Sequence, residues 1–448
     1  MDYQSFKQAV IAQAQAMGIA EYELYYTNGS STSVSVFAGE VSGFSSGEEG
    51  GVCFRCIVDG RMGYSSTQSL TESEAAAIVK QAAENATSLE TDEQVFLCEG
   101  GKEYEKLELN PYELPSTEEL ISTAMGAVDK LCAAHPAIVP QCKAQGISER
   151  SEIAICNSKG LDLHYENTCA GLVLVAVASD GKEMANDFQV KLGELSALDV
   201  DGLAQKAAEG AVRKLGGDVP PTGQYPVVFA PDAMSDLLQT FCGVFSSENA
   251  QKGLSRLGDQ EGKAIASPCV TLVDDPFYPE NPMPIPFDAE GCPTRKKNVI
   301  EGGVLSTLLY NMKTAAVAGK ETTGNASKGG YDGAVMVRPF TMYVAPGSMT
   351  EDEVLAKARD GVYITSLGGL HAGANPISGD FSLQSAGFLI RDGKKTDYVK
   401  SFTVAGNFYD LLKNITAVSD KVVLPMAMGM TAFGSPSVLV EGLSVAGK

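Results

Sequence analysis

The sequence has few histidines, no long apolar run and no dense basic cluster, and each absence excludes a class of protein. The three histidines, His135, His164 and His371, are not spaced so that one helix presents two imidazoles to zinc. The most apolar run, Gly171–Ala178, has the length of a strand and is too short to cross a bilayer. No basic run is longer than Arg295–Lys297 and the net charge is −22, which argues against a nucleic-acid surface.

Common catalytic motifs are also missing. There is no Walker loop and no G-x-G-x-x-G between a strand and a helix. Gly43–Gly47 matches the letters of the hydrolase elbow, but no helix follows the serine, so a meander turn is predicted there. His371 lies in a glycine-rich loop and could act as a lone general base, yet no nucleophile motif accompanies it. His135 and His164 are interpreted as structural or surface residues.

The cysteines and the N-terminus indicate a cytoplasmic protein. The N-terminal residues lack the basic start and apolar core of a signal peptide. Ten cysteines are scattered along the chain, which favours reduced thiols. Cys53 and Cys56 form a C-x-x-C inside the apolar run Gly51–Val58, where residues three apart point to opposite faces of a sheet. Buried thiols are therefore predicted there, in place of a metal knuckle.

The first half combines helices with an antiparallel meander. An amphipathic helix opens the chain, and strands with turns at Asn28-Gly29, Gly39-Glu40 and Asp59-Gly60 follow it. Two capping boxes, Thr71 with Glu74 and Ser116 with Glu119, begin the next helices. Further strands are expected at Ile138–Ala144, Glu152–Asn157, Leu161–Glu166 and Gly171–Ala178, before a helix over Leu203–Leu215.

The prolines and glycines at 218–223 predict a domain boundary. We expect an N-terminal α+β domain over residues 1–217, with helices packed on an antiparallel sheet. A β-rich, barrel-like domain over residues 218–448 is expected to follow, opening with the strand Tyr225–Phe229 and a helix from Asp232 to about Ser246. The fold class is α+β.

Five polar, glycine-rich segments in the second half are specific enough to indicate a family. They are Phe287–Gly291 with Thr294-Arg295, Thr322–Ala326, Asn375–Ser382 with Ala386–Phe388, Thr403–Asn407 with Leu411–Ile415, and Phe433–Ser437. In this order and spacing the chain resembles the TldD/PmbA family, also labelled modulator of DNA gyrase. The likeness covers essentially the whole chain.

The resemblance implies a two-domain α+β fold and a heterodimeric zinc metallopeptidase. One subunit of that pair, the TldD type, carries H-E-x-x-x-H on a helix, and the PmbA or TldE type lacks it. By position, Gln239 and Val244 stand here where the two histidines would be, and Thr240 stands where the glutamate would be. None of the three suits a zinc ligand or general base. The chain thus resembles the PmbA/TldE type, with no metal or catalytic residue of its own and zinc expected in a TldD-type partner.

The leading hypothesis is a non-catalytic subunit that helps a TldD-type partner cleave unstructured peptides. Polar turn residues can bind a peptide backbone, although each can equally cap its own turn. The candidates for the peptide cleft are Asn325, Asn375, Ser378, Asp380 and Asn407. One alternative is a stand-alone homodimeric peptide-binding protein, and a minor one is a direct modulator of gyrase. Whether the chain takes part in an enzyme, and on which substrate, stays open at this point.

Overall fold

The computed structural model describes residues 1–91, 93–107, 113–426 and 431–448. Within these ranges the helices are α1 (Tyr3–Ala16), α2 (Glu72–Ser88), α3 (Thr117–Ala134), α4 (Val200–Arg213), α5 (Pro231–Phe241), α6 (Ser247–Gln251), α7 (Met312–Ala318), α8 (Glu351–Ala358), α9 (Leu370–Gly373) and α10 (Phe408–Lys413). Short 3-10 turns cover Leu195–Ala197 and Cys242–Phe245. Helices therefore occur in both halves of the chain.

The first half is built on one antiparallel sheet of six strands in the order β3-β2-β1-β4-β5-β6. These strands are β1 (Glu21–Phe37), β2 (Glu40–Val58), β3 (Arg61–Thr67), β4 (Lys143–Asn157), β5 (Asp162–Ser179) and β6 (Met184–Leu192). Helices α1 and α2 cover one end of the sheet and α3 and α4 cover the other. The predicted antiparallel sheet with packed helices is confirmed.

The strands of this sheet are longer than the sequence indicated. The predicted turn at Asn28-Gly29 is wrong, because β1 continues through it, with Asn28 opposite Gly50 on one side and Glu152 on the other. The strands predicted separately before and after residue 147 are likewise a single strand, β4. A central strand is hydrogen-bonded along both edges, and this pairing overrides the local turn preference of Asn-Gly.

The helix starts follow the predicted caps. The Thr71 hydroxyl accepts from the backbone N–H of Glu74, and Ser116 with Glu119 forms a complete capping box. Each cap satisfies a helix N–H that has no partner within the helix. Helix α2 lies so close to β3 that a Cβ on Gly63 would be 1.9 Å from the carbonyl oxygen of Ala82. Only glycine permits this packing distance.

The second half contains fourteen strands in the described ranges. They are β7 (Gly223–Phe229), β8 (Leu272–Asp274), β9 (Lys297–Glu301), β10 (Val304–Leu305), β11 (Ala326–Ser327), β12 (Met336–Val337), β13 (Thr341–Val344), β14 (Gly361–Gly368), β15 (Asp380–Arg391), β16 (Lys394–Asn407), β17 (Ile415–Val418), β18 (Val423–Met426), β19 (Ala432–Ser435) and β20 (Val438–Ala446). Strands β16, β15, β14, β7 and β20 pair in that order, and β16 also pairs with β20. The pairing closes a five-stranded barrel, which confirms the barrel-like domain.

Helix α5 lies between the barrel and a second sheet of order β10-β9-β8-β13-β19-β18. Its buried side chains, which include Leu237, Leu238 and Phe241, join the largest apolar core of the protein. The helix is shorter than predicted: it ends at Phe241, and a 3-10 turn follows in place of the expected helix to Ser246.

Two sequence predictions concern the whole chain. A connection over residues 218–222 leads from the segment after α4 into β7, and the domain division at 217/218 stays a prediction. None of the helices described combines the length and apolarity that a membrane span requires. Cys53 and Cys56 are buried and belong to different apolar clusters on the two faces of the first sheet, as their spacing predicted.

Candidate functional site: a polar corner beside helix α5

The positions where the resemblance would place a metal motif lie at the end of helix α5, except that of Val244, which lies on the 3-10 turn after the helix. Helix α5 begins directly after β7 with Pro231 in its first turn, where the missing N–H of proline costs nothing. It ends at Phe241, and the carbonyl of Gly243 then accepts from the side-chain amide of Asn249 at 2.9 Å. The end of α5 is consequently fixed by a side chain from α6.

The three motif positions do not converge on one point. Gln239 is exposed, whereas Val244 is buried with 1% of its surface accessible. The Thr240 hydroxyl donates to the carbonyl oxygen of Asp236 at 2.7 Å, within its own helix. Zinc in proteins is bound by imidazole nitrogen, thiolate or carboxylate. These residues do not fit a zinc ion, because they supply none of these groups and face different surroundings.

Cys242 is the cysteine directly after α5, between the motif positions Thr240 and Val244. Its Sγ lies 3.3 Å from the carbonyl oxygen of Gln239, to which it donates. Burial raises the pKa of the Cys242 thiol to about 11, although Arg338 opposes the shift. The thiol is therefore protonated at neutral pH and is a poor nucleophile.

Four of the five predicted cleft residues meet where β15 begins and β16 ends. Asp380 and Asn407 are directly opposite each other in the β15–β16 ladder. The Asn407 amide donates to Oδ1 of Asp380 at 2.8 Å and to the carbonyl of Ser378 at 2.9 Å. Asn407 also caps α10, since its Oδ1 accepts from the backbone N–H of Tyr409. We call Asn375, Ser378, Asp380 and Asn407 the polar corner.

The loop that leads into β15 gives the polar corner its shape. Oδ1 of Asn375 accepts from the backbone N–H groups of Ile377, at 3.0 Å, and Ser378, at 3.2 Å. Gly379 has φ +83°, and a Cβ there would be 2.6 Å from a ring carbon of Tyr409. The loop thus depends on an Asx turn and on one glycine for its conformation.

The polar corner presents both signs of charge to solvent. Hydrogen bonds from Asn407 and then Ser378 lower the pKa of Asp380, so its exposed carboxylate is ionised at neutral pH. The Arg256 guanidinium lies 5.2 Å from the ring centroid of Tyr409 and adds a smaller lowering effect on that carboxylate. A carboxylate, a guanidinium and amide groups in one corner can bind a polar chain through several hydrogen bonds.

Aromatic side chains join the polar corner to α5. Phe241 stacks on Phe408 with ring centroids 4.7 Å apart and an interplanar angle of 12°, and its centroid is 6.3 Å from that of Phe381. Phe381 and Phe408 directly follow Asp380 and Asn407 in the sequence. The end of α5 and the polar corner therefore share one packed aromatic core.

Asn325 is not part of this corner, and its fully buried side chain belongs to a separate hydrogen-bond network. Its Oδ1 accepts from the Lys297 ammonium at 3.0 Å and from the Thr323 hydroxyl at 2.7 Å. Its amide donates to Asp274 at 2.7 Å and to the carbonyl of Arg338 at 2.9 Å. The structure thus brings four candidates together and separates the fifth, whose side-chain atoms are already bonded.

The histidines have different surroundings. Nδ1 of His135 accepts from the backbone N–H of Ala137, and Nε2 of His164 lies 2.9 Å from Glu152. His371 is exposed on α9, a short helix that contacts α5.

Sequence reasoning missed a buried charged cluster where the first sheet meets the second half. Arg55 on β2 lies 2.6 Å from Glu23 on β1, and both side chains are almost fully buried. Lys328 is buried with its ammonium 4.3 Å from the ring centroid of Tyr25. Glu290 accepts from the backbone N–H of Met312 at 2.8 Å. The available signal was one charged residue inside each apolar run, Glu23 in Tyr22–Tyr26 and Arg55 in Gly51–Val58.

The same junction contains Asp288, from the first family-like segment. Its carboxylate accepts from the backbone N–H groups of Glu290, Cys292 and Ala326. Burial, with Glu290 next, raises the pKa of Asp288 to about 8 against these three donors. Asp288 and Glu290 therefore shape a buried loop here, whereas the third and fourth family-like segments build the polar corner.

The partly buried carboxyl of Asp236 on α5 makes the stability of the protein depend on pH. Burial, then Asp232 one turn earlier, raises the pKa of Asp236 to about 6. The pKa of Asp236 in the folded state lies above the usual value of about 4. The protonated carboxyl therefore stabilises the folded protein below about pH 4, and this contribution is lost as the pH rises through about 6. We expect Asp236→Asn to stabilise the protein at pH 8 by about 1 kcal/mol, after allowance for screening at this partly exposed site.

Calorimetric melting temperatures at pH 4 and pH 8 would measure this effect. The gain should shrink towards pH 4, where the carboxyl is protonated in both states. Asp129→Asn, at an exposed position of α3, is the matched control, and its melting temperature should stay close to that of the unsubstituted protein. An equal gain for Asp236→Asn at both pH values would contradict the assignment.

Comparison with known proteins places the chain in a class of metallopeptidase-type α+β proteins. Three family models match consecutive segments: PmbA/TldA metallopeptidase domain 1 over residues 22–86, the central domain over 110–215 and the C-terminal domain over 222–447. A metalloprotease of Methanothermobacter thermautotrophicus is 30% identical over 323 residues, covering 69% of this chain and 68% of that protein. The chain belongs to the PmbA/TldD metallopeptidase family.

Two solved structures have the same fold over almost the whole chain. A candidate modulator of a DNA gyrase from Thermotoga maritima is 30% identical with a TM-score of 0.89, and the match covers 99% of this chain and 100% of that one. TldE from Thermococcus kodakarensis is 26% identical, also with a TM-score of 0.89 and the same coverage.

Proposed function

We propose that this chain is the substrate-holding subunit of a two-subunit metallopeptidase whose partner supplies zinc and the general base. The proposal rests on the side chains at the three motif positions, which do not suit a metal, and on the polar corner next to them. Gln239 points to solvent, Val244 is buried and Thr240 bonds its own helix, yet a shaped polar corner is kept beside this helix. The absence of metal-binding groups at these positions, in a member of a metallopeptidase family, is best explained if a second chain supplies the metal chemistry.

The chemistry of the polar corner suits an extended peptide. An ionised carboxylate can accept about four hydrogen bonds, and two residues of the corner, Asn407 and Ser378, already bond the Asp380 carboxylate. Asp380 can therefore accept peptide N–H groups, and Arg256 can donate to peptide carbonyl groups. Both side chains are exposed, so a peptide can reach them without unfolding the corner. Unstructured peptides suit this binding because their backbone groups are free to pair.

The first test combines the purified chain with a family member that carries H-E-x-x-x-H, using an unstructured peptide as substrate. We expect cleavage with both chains present and little with either one alone. Size-exclusion chromatography of the mixture should show a heterodimer. Cleavage by the partner that is unchanged when this chain is omitted would refute the proposal, and self-association alone would favour a homodimeric binding protein.

A variant pair then tests the role of the polar corner. Asp380→Ala should lower kcat/KM of the pair about tenfold, mainly through KM, because one hydrogen bond to a charged group is lost. Asp180→Ala is the matched control, since Asp180 is also an exposed aspartate that caps a turn, accepting from Lys182 and Glu183. Equal effects of the two variants would show that the corner has no part in substrate binding.

A further inference from the structure

Two buried thiols from distant parts of the chain are in direct contact. Sγ of Cys292 lies 3.3 Å from Sγ of Cys98, although the residues are 194 positions apart in sequence. Cys98 belongs to the segment between α2 and α3, and Cys292 belongs to the loop before β9. Their exposed fractions are 0% and 1%. Two cysteine side chains at this separation need to approach by only about 1.2 Å to reach bonding distance.

Both cysteines are held by their backbones. The carbonyl of Cys98 accepts from the side-chain amide of Asn157 at 2.8 Å. The N–H of Cys292 donates to Asp288 Oδ1 at 2.9 Å, and its carbonyl accepts from the backbone N–H of Asp288. The two sulfur atoms are therefore brought together by fixed segments, so their contact does not depend on loose side chains.

The two thiols are electrostatically unequal. The hydrogen bond from Cys292 lowers the pKa of Cys98, and the nearby Lys102 ammonium lowers it further. The same hydrogen bond, followed by burial, raises the pKa of Cys292. Lys102 itself is exposed, so the pair lies just behind the protein surface. This polarity makes Cys98 the nucleophile and Cys292 the resolving thiol.

We propose that Cys98 and Cys292 form a reversible disulfide when the protein meets a hydroperoxide. The Cys98 thiolate attacks the O–O bond of hydrogen peroxide and becomes a sulfenic acid, and the leaving hydroxide takes a proton to form water. The Cys292 sulfur then attacks the sulfenic sulfur, which forms the S–S bond and releases a second water molecule. In total, two thiols lose two hydrogen atoms and one peroxide is reduced to two waters.

The disulfide would connect the two halves of the chain beside the buried charged cluster. Cys292 lies two residues after Glu290, and Cys98 is held by Asn157 at the end of β4. A cross-link that closes a loop of this length restricts the unfolded chain strongly. Oxidation therefore tightens the junction between the first sheet and the second half, and a thiol reductant reverses it.

Peptide mapping after peroxide treatment tests the proposal. The background variant is Cys132→Ser/Cys269→Ser, which removes the two exposed thiols. Because Cys132 lies near Cys142, its removal also leaves Cys142 without this neighbouring thiol. After treatment of the folded protein, denaturing alkylation and digestion without reductant should yield a linked peptide with Cys98 and Cys292. The melting temperature should rise by about 5 °C or more and return on addition of dithiothreitol.

Variants and controls separate this result from unspecific oxidation. Adding Cys98→Ser or Cys292→Ser to the background should abolish both the link and the rise in melting temperature, whereas Cys169→Ser should leave both unchanged. The mapping on the unsubstituted pair decides the matter even where a serine variant folds poorly. Recovery of Cys98 and Cys292 as alkylated or over-oxidised residues, or a link that forms only in urea, would overturn the proposal.

Discussion

Arg55→Met is expected to destabilise the protein by about 3–5 kcal/mol. The guanidinium of Arg55 is the ion-pair partner of the Glu23 carboxylate at 2.6 Å. Glu23 is completely buried, so its charge would be left without its cation and without water. Burial raises the pKa of Glu290, and Arg55 opposes this shift, so the loss of Arg55 would also remove a favourable charge beside Glu290.

A double substitution tells the loss of a partner apart from the loss of packing. Glu23→Leu/Arg55→Met removes both charges and restores apolar contacts, so it should recover much of the stability lost in Arg55→Met. Glu23→Gln alone should be milder than Arg55→Met, because the amide oxygen can still accept a hydrogen bond from Arg55 and Glu290 remains a nearby negative group. Calorimetry should show a drop in melting temperature of roughly 3–5 °C for Arg55→Met.

Arg61→Met is a suitable control, because Arg61 lies on the neighbouring strand β3 without the burial of Arg55. Its melting temperature should stay close to that of the wild type. If the double variant is as unstable as Arg55→Met, the ion pair contributes more than its apolar replacement, and the inference from desolvation is wrong.

Phe241→Ala is expected to cost about 3–5 kcal/mol and to disturb the polar corner at the same time. Phe241 is fully buried and stacks on Phe408, with Phe381 on another side. Removing the ring leaves a cavity next to the residues that follow Asp380 and Asn407. Asp380 and Asn407 should then lose their fixed positions, so the proposed heterodimer should lose peptidase activity beyond what lower stability explains.

The comparison with Phe241→Leu makes this prediction specific. Leucine fills much of the space without stacking, so we expect a loss of about 1–2 kcal/mol and nearly normal positions in the corner. Activity should be measured well below the melting temperature of each variant. If Phe241→Ala retains full kcat/KM in the proposed heterodimer, the aromatic core does not position the corner.

The sequence was most informative where structure is decided locally. The capping residues Thr71 and Ser116 start α2 and α3 as predicted, because a cap depends on contacts within one helical turn. It failed at Asn28-Gly29, a strong turn signal that lies in the middle of β1. There the ladders to β2 and β4, formed by residues far along the chain, decide the conformation.

The residues of the candidate site show the same difference between what local sequence predicts and what tertiary packing decides. Asn375, Ser378, Asp380 and Asn407 were selected by residue type and turn context, and the β15–β16 register brings them together. Asn325 has the same residue type and a similar loop context, yet it lies in a buried network with Lys297 and Asp274. Residue type does not distinguish the two cases, because burial depends on what packs against the loop.

By itself, the sequence determined the α+β class, the helix starts and the absence of zinc-binding residues at positions 239, 240 and 244, since these follow from residue identity and short-range periodicity. Only the tertiary structure decided that the barrel closes through β16 and β20, that Glu23 meets Arg55, and that Cys98 meets Cys292. Each of these is a contact between residues distant in sequence. Such contacts form only when the whole chain has buried its apolar surface, and no local pattern specifies them.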